Sequence, residues 1–151
     1  MINRDLIRRK IVQLTYAYYQ NGNRNMDNAE KELFFSLSKA YDLYNYQLQL
    51  IVEITKEARK RYDLEVTRVQ REGGDAPSQK FAFNRFAVQL EENKMLGEWI
   101  EAKNSSWDDD IEVVRRVYTA VVVSDIYQEY MNAEEDSYDA DREVWRKLYK
   151  N

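Results

Sequence analysis

The sequence predicts an all-α bundle of about five helices, with one long helix as its spine. Three observations carry this. Its 151 residues include only four Gly and one Pro, too little material for the tight turns of an all-β fold. Apolar residues recur at three- and four-residue steps, the period of a helix with one buried face. From residue 27 to residue 72 no Gly or Pro interrupts that period. A chain of this length is expected to form one domain, residues 1–151, and to bury roughly two thirds of its unfolded surface.

The first helix is predicted over Asn3–Gln20. Leu6, Ile7, Ile11, Leu14 and Tyr18 fall on one face. Arg4, Arg8, Arg9 and Lys10 crowd its first two turns against a single Asp5. With Arg24 added, the first 24 residues are strongly positive in a chain whose total charge is −4, so the remainder is acidic. The helix dipole favours carboxylates at the first turn, not cations. Arg4, Arg8 and Arg9 therefore sit toward the unfavourable end, and either an anionic partner or an ordinary solvated face accounts for them.

Asn21-Gly-Asn-Arg-Asn25 reads as a turn. Asp27 reads as an N-cap with Glu30 at capping-box spacing. The long stretch that follows keeps Leu33, Leu37, Tyr41, Tyr44, Leu48, Ile51, Thr55, Ala58, Tyr62, Val66 and Val69 on one face. It is either one helix of about 45 residues, about 65 Å long, or two helices broken near Leu37–Tyr41. Past Arg59-Lys60-Arg61 the apolar pattern thins and charge rises.

Gly73–Ser78 is the clearest loop. A third helix is expected through Phe83, Phe86, Ala87, Leu90, Met95, Trp99 and Ile100, weakened but not ended by Gly97. Asn104-Ser105-Ser106 is a turn, and Ser106 followed by Asp108–Asp110 starts a fourth helix containing Ile111 to Tyr130. Its Val117–Val123 run is rich in β-branched residues but has no partner strand. Glu134–Asp139 reads as an acidic linker. A last helix is expected over Asp141–Lys150, with Val144, Trp145 and Leu148 on one side, still running at Asn151.

Composition narrows the chemistry. The chain has no His and no Cys. That excludes disulfides, Ser-His and Cys-His nucleophile pairs, an imidazole base, Cys/His zinc sites and the Glu-x-x-His pairs of di-iron bundles. Gly73-Gly74 precedes Asp75-Ala76-Pro77, a turn and not a phosphate cradle. Asp108–Asp110 lacks the spaced ligands of a calcium loop and reads as a helix start, as Glu134–Asp136 reads as a solvated cluster. The sequence points to a non-enzymatic protein with no cofactor and no metal. No apolar run approaches the roughly 20 residues of a membrane span. Nothing at the start reads as a signal peptide, and cytoplasmic residence is expected.

Twelve tyrosines are the conspicuous excess. Tyr16, Tyr18 and Tyr19 on the first helix, and Tyr41, Tyr44 and Tyr46 on the second, cover too many faces to share one core. Such rings serve as stacking platforms for unpaired bases, as anchors of protein interfaces, or as helix-packing groups with a wet hydroxyl. Tyr16 and Tyr19 are expected off the stripe opened by Ile7.

The stretch Arg8–Tyr18 resembles the first helix of the NusB family of transcription antitermination factors. There an Arg-rich start leads into Ala-Val-Gln-Ala-Leu-Tyr, then a small residue and an aromatic. Ile11-Val12-Gln13, Tyr16 and Tyr18 match this pattern, and Arg4 and Arg8 fall on basic positions. Leu33–Tyr46 is similar to the longer NusB homologues of Bacteroidetes, in which an extra N-terminal half precedes the better-known domain. The resemblance implies an all-helical RNA-binding factor that takes boxA-like single-stranded RNA at its basic first helix. It also implies work with the NusE ribosomal protein in the transcription elongation complex. Residues 1–151 would then be the N-terminal part of a longer protein. Arg4, Arg8, Arg9 and Lys10 are the expected phosphate contacts and Tyr16 the expected stacking group. The competing expectation is a helical scaffold module that docks proteins and binds no RNA of its own.

Overall fold

The computed structural model describes residues 3–22 and 25–150. These are all-helical, with seven helices and no strand among the described residues. The helices are α1 (Arg4–Gln20), α2 (Met26–Glu72), α3 (Arg85–Glu91), α4 (Lys94–Lys103), α5 (Ile111–Val122), α6 (Asp125–Asn132) and α7 (Tyr138–Leu148). The spine is one unbroken 47-residue helix, about 70 Å long, so of the two alternatives the single helix holds and there is no break near Leu37–Tyr41. Ser36 and Ser38 lower propensity by only a few tenths of a kcal/mol each, too little to stop a helix.

The helix count exceeds five because two expected helices are each split at a polar residue that acts as a cap. The third segment breaks at Asn93, whose side chain accepts from Leu96 N–H (2.9 Å), four residues before Gly97. Leu96 rather than Met95 then reaches the core. The fourth breaks at Ser124, whose Oγ accepts from Tyr127 N–H (3.2 Å). Ser106 does not open α5. Its Oγ accepts from Asp108 N–H (3.0 Å) in a turn, and α5 begins after Asp110. Asn25 caps α2 in place of Asp27, accepting from Asn28 N–H (3.2 Å). The turn expected over Asn21–Asn25 includes Asn23 and Arg24, which lie outside the described residues, as does Asn151. The last helix starts three residues earlier than expected, on the Ser137 cap, and ends at Leu148.

Residues 1–47 and 48–151 form two compact units, and α2 contributes to both. In the first, Asn45 is the only buried residue among those described, and α1 buries none. Every large apolar side chain described there is half-buried or exposed.

The second unit holds the core. Ile51, Ile54, Thr55 and Ala58 of α2, Ala87 and Leu90 of α3, Val114 and Val121 of α5, and Val144 and Trp145 of α7 are buried. Helix α3 packs on α4 and α7, and α6 packs on α5 and α7. Phe81, in the turn before α3, is the aromatic centre. Its ring lies 5.1 Å from Tyr127, 5.3 Å from Trp145 and 6.3 Å from Tyr130, centroid to centroid. Beyond Ala58 no residue of α2 is buried, as the thinning pattern implies.

A buried polar knot ties the turn before α3 to α6 and α7. Asn84 is fully buried: its Oδ1 accepts from Ala87 N–H (3.1 Å) to cap α3, and its Nδ2 donates to the Asp141 carbonyl (3.1 Å). Lys80 closes the far end of α6, donating to the carbonyls of Tyr130 (2.7 Å) and Ala133 (2.8 Å). Arg59 does similar work on α2. Its Nε donates to the Ala82 carbonyl (2.9 Å), and its Nη1 donates to both oxygens of Glu91 (2.8 and 3.0 Å). Among the described residues no helix is long and apolar enough to cross a membrane.

Candidate nucleic-acid interface

Helix α1 starts at Asn3, whose side chain accepts from Leu6 N–H (2.9 Å) and satisfies one orphan donor of the first turn. At about 100° per residue, the half-buried positions Leu6, Ile7, Lys10, Leu14, Ala17 and Tyr18 make one stripe. The rest of the circumference is exposed. Arg4, Arg8, Arg9 and Tyr16 all lie there, within an arc of about 140°. Val12 and Tyr19 occupy the middle of that arc, 68% and 64% exposed, and Tyr16 is 68% exposed.

The structure thus brings four of the five expected contact residues to one face and leaves the fifth out. Lys10 lies about 100° past the Arg9 edge, on the half-buried stripe. The sequence reading grouped it with the arginines by adjacency, which is not proximity on a helix. Asp5 is the one acidic side chain on the outward face, and it lies 3.8 Å from the Arg8 guanidinium, both well exposed. A pair that loose and wet contributes little and leaves Arg8 available to an anion. Tyr19 packs its ring edge-on to Tyr18 at 5.4 Å. A flat, exposed, aromatic and cationic face of this kind can hold phosphates at one end and stack bases at the other.

A second aromatic constellation, in the other unit, was not singled out in the sequence. Tyr62, Phe81, Tyr118, Tyr127 and Met131 line a cavity of about 290 Å³ with Arg61 and Glu65 at its rim. The Arg61 guanidinium carbon sits 5.0 Å over the Tyr118 ring, and its Nε donates to Glu57 (3.0 Å). Burial pushes the Tyr118 and Tyr127 phenols above their ordinary range, so both stay protonated. The available signal was Arg61-Tyr62 itself, with Tyr62 on the apolar face of the long helix and Arg61 in the charged run beside it. By contrast, residues 134–143, outside that cavity, hold six carboxylates against the single base Arg142, a stretch that repels polyanions. No group of three or more carboxylates among the described residues is placed to hold a metal ion.

The chain matches no protein-family model, no curated protein and no solved structure at a significant level.

Proposed function

We propose that this chain is a non-enzymatic RNA-binding factor of transcription antitermination. It takes boxA-like single-stranded RNA on the outward face of α1 and works with the NusE ribosomal protein. The observation that carries the reading is the convergence of Arg4, Arg8, Arg9 and Tyr16 on one exposed arc around Val12 and Tyr19. Nothing in packing requires those side chains to be there. The resemblance of Arg8–Tyr18 and Leu33–Tyr46 to the NusB family supports the same reading. In it, Arg4, Arg8 and Arg9 hold phosphates and Tyr16 stacks a base, while Lys10 lies on the half-buried stripe.

One observation favours a protein-docking module instead. The first unit buries no apolar side chain among its described residues, and Phe34 and Phe35 are 62% and 64% exposed. Exposed apolar area on that scale marks interaction surfaces.

Salt separates the two readings. Phosphate contacts release counterions, so three of them give a slope of log K against log salt of about −2 on a single strand. Titration of a labelled boxA-like RNA at several salt concentrations should give that slope. A slope near zero, or no binding by folded chain, supports the docking module.

A further inference from the structure

We propose that the cavity between α2, the 77–82 turn, α5 and α6 is a receptor for one nucleobase. This rests in part on the RNA reading, and a free nucleotide would supply the same chemistry.

The size suits a single heteroaromatic ring: about 290 Å³, at the lower bound of ligand sites and too small for a folded segment. The walls suit a flat occupant. Tyr62, Tyr118 and Tyr127 are each half-buried, so their rings hold position yet remain open to solvent on one side. Tyr62 is pinned edge-on against Phe83 at 5.6 Å, and Phe81 does the same for Tyr127 at 5.1 Å. Rings fixed in this way lose little freedom when a second ring arrives.

The polar groups narrow the class further. Tyr118 and Tyr127 present phenol hydroxyls that keep their protons to unusually high pH. They are donors for ring nitrogens and exocyclic oxygens. Arg61, oriented by Glu57, covers one face of Tyr118 and leaves guanidinium N–H groups for a carbonyl oxygen on the edge of a ring. A cationic ring would meet Arg61. A simple carboxylate would bring its charge beside Glu65, which lines the cavity and pairs with Arg68 at 2.7 Å, and would use none of the rings. An aliphatic ligand would gain area but use none of the ring faces. A neutral ring bearing acceptors on its edge uses all of them, and that describes a base.

The test uses the full chain, with Tyr118→Leu, Arg61→Gln and Arg8→Ala/Arg9→Ala as variants. Tyr118→Leu keeps apolar bulk while removing ring and hydroxyl, and Arg61→Gln changes an exposed side chain, so a folding failure in one leaves the other informative. A single-stranded RNA carrying 4-thiouridine is titrated and photo-crosslinked, and guanosine and adenosine monophosphates are titrated separately by NMR. Crosslinks within peptides spanning residues 58–65 or 118–131 are expected, with affinity down about five- to hundredfold in Tyr118→Leu, the worth of one base–aromatic stack. If RNA binds and weakens with the α1 variant, while crosslinks avoid these peptides and both cleft variants bind normally, the cleft proposal is overturned and the α1 reading stands. If mononucleotides shift cleft resonances while RNA does not bind, the base receptor stands and belongs to a free nucleotide. If neither ligand binds, both fall.

Discussion

The Tyr130 hydroxyl donates to the Asp141 carboxylate across 2.6 Å, joining α6 to α7 where both side chains are withdrawn from water. The same carboxylate accepts from the Arg85 backbone N–H at 3.0 Å, with the Arg85 guanidinium 3.5 Å away. A buried charge of this kind is tolerated because its oxygens are satisfied by a phenol, an amide and a cation. Removing one partner is the costly change. Tyr130→Phe leaves the carboxylate short of a donor and should destabilise the second unit by about 1–3 kcal/mol. Urea unfolding followed by tryptophan fluorescence reads this directly, and an unchanged midpoint would refute it.

The same contact sets an alkaline limit. Burial, then the hydrogen bond to Asp141, raises the Tyr130 phenol far above its ordinary 10.0. In the unfolded chain the phenol ionises near about 10; in the fold it resists. The stabilisation is therefore complete below about pH 10 and is lost as pH rises beyond it, because only the unfolded state sheds the proton freely. Unfolding free energy should be flat through neutral pH and fall above about pH 10. Tyr130→Phe should flatten that fall in part, since Tyr118 and Tyr127 are raised as well.

Gly97 lies inside α4, is exposed, and has nothing within 4 Å of where a Cβ would stand. Gly97→Ala should stabilise the protein by about 0.5–1 kcal/mol, by lowering the entropy of the unfolded chain. A fall in melting temperature would show that the glycine serves something other than the helix.

Ser124 is the hinge between α5 and α6. Its Oγ accepts from Tyr127 N–H and donates to the Val121 carbonyl at 2.6 Å. Ser124→Ala should cost about 1 kcal/mol in chemical denaturation, while Ser124→Asp should retain most of the stability by keeping the cap acceptor.

Helix type was legible because periodicity and the scarcity of Gly and Pro agree over nearly the whole chain. The interruptions were not. Asn93 and Ser124 cap new helices inside an apolar pattern that continues across them, and a period alone does not register a change of axis. Asp141 was read as the first residue of the last helix. It lies within α7 and is buried, which was not legible because Tyr130 and Arg85, which donate to its carboxylate, lie 11 and 56 residues away in sequence. On α1 the outward position of Tyr16 and Tyr19 followed from their offset from the Ile7 stripe. Lys10 is adjacent to Arg9 in sequence but lies about 100° from it around the helix, on the half-buried stripe. The Tyr118–Tyr127 cleft needed a turn, α2, α5 and α6 to converge, which no local pattern encodes.

The measurement that bears most directly on the account is fluorescence anisotropy of a labelled boxA-like single-stranded RNA, titrated at low and moderate salt. The wild type, Arg8→Ala/Arg9→Ala and Lys10→Ala would be compared. The account predicts binding that weakens with salt. The double variant should lower the slope by about 1.4, the share of two phosphate contacts on a single strand, and Lys10→Ala should leave the slope within experimental scatter. Absence of binding by folded chain at roughly 50 μM and low salt, where even non-specific binding is tighter than its roughly 1–100 μM at physiological salt, would contradict it. Equal losses in both variants would show that overall charge, and not the outward face of α1, holds the RNA.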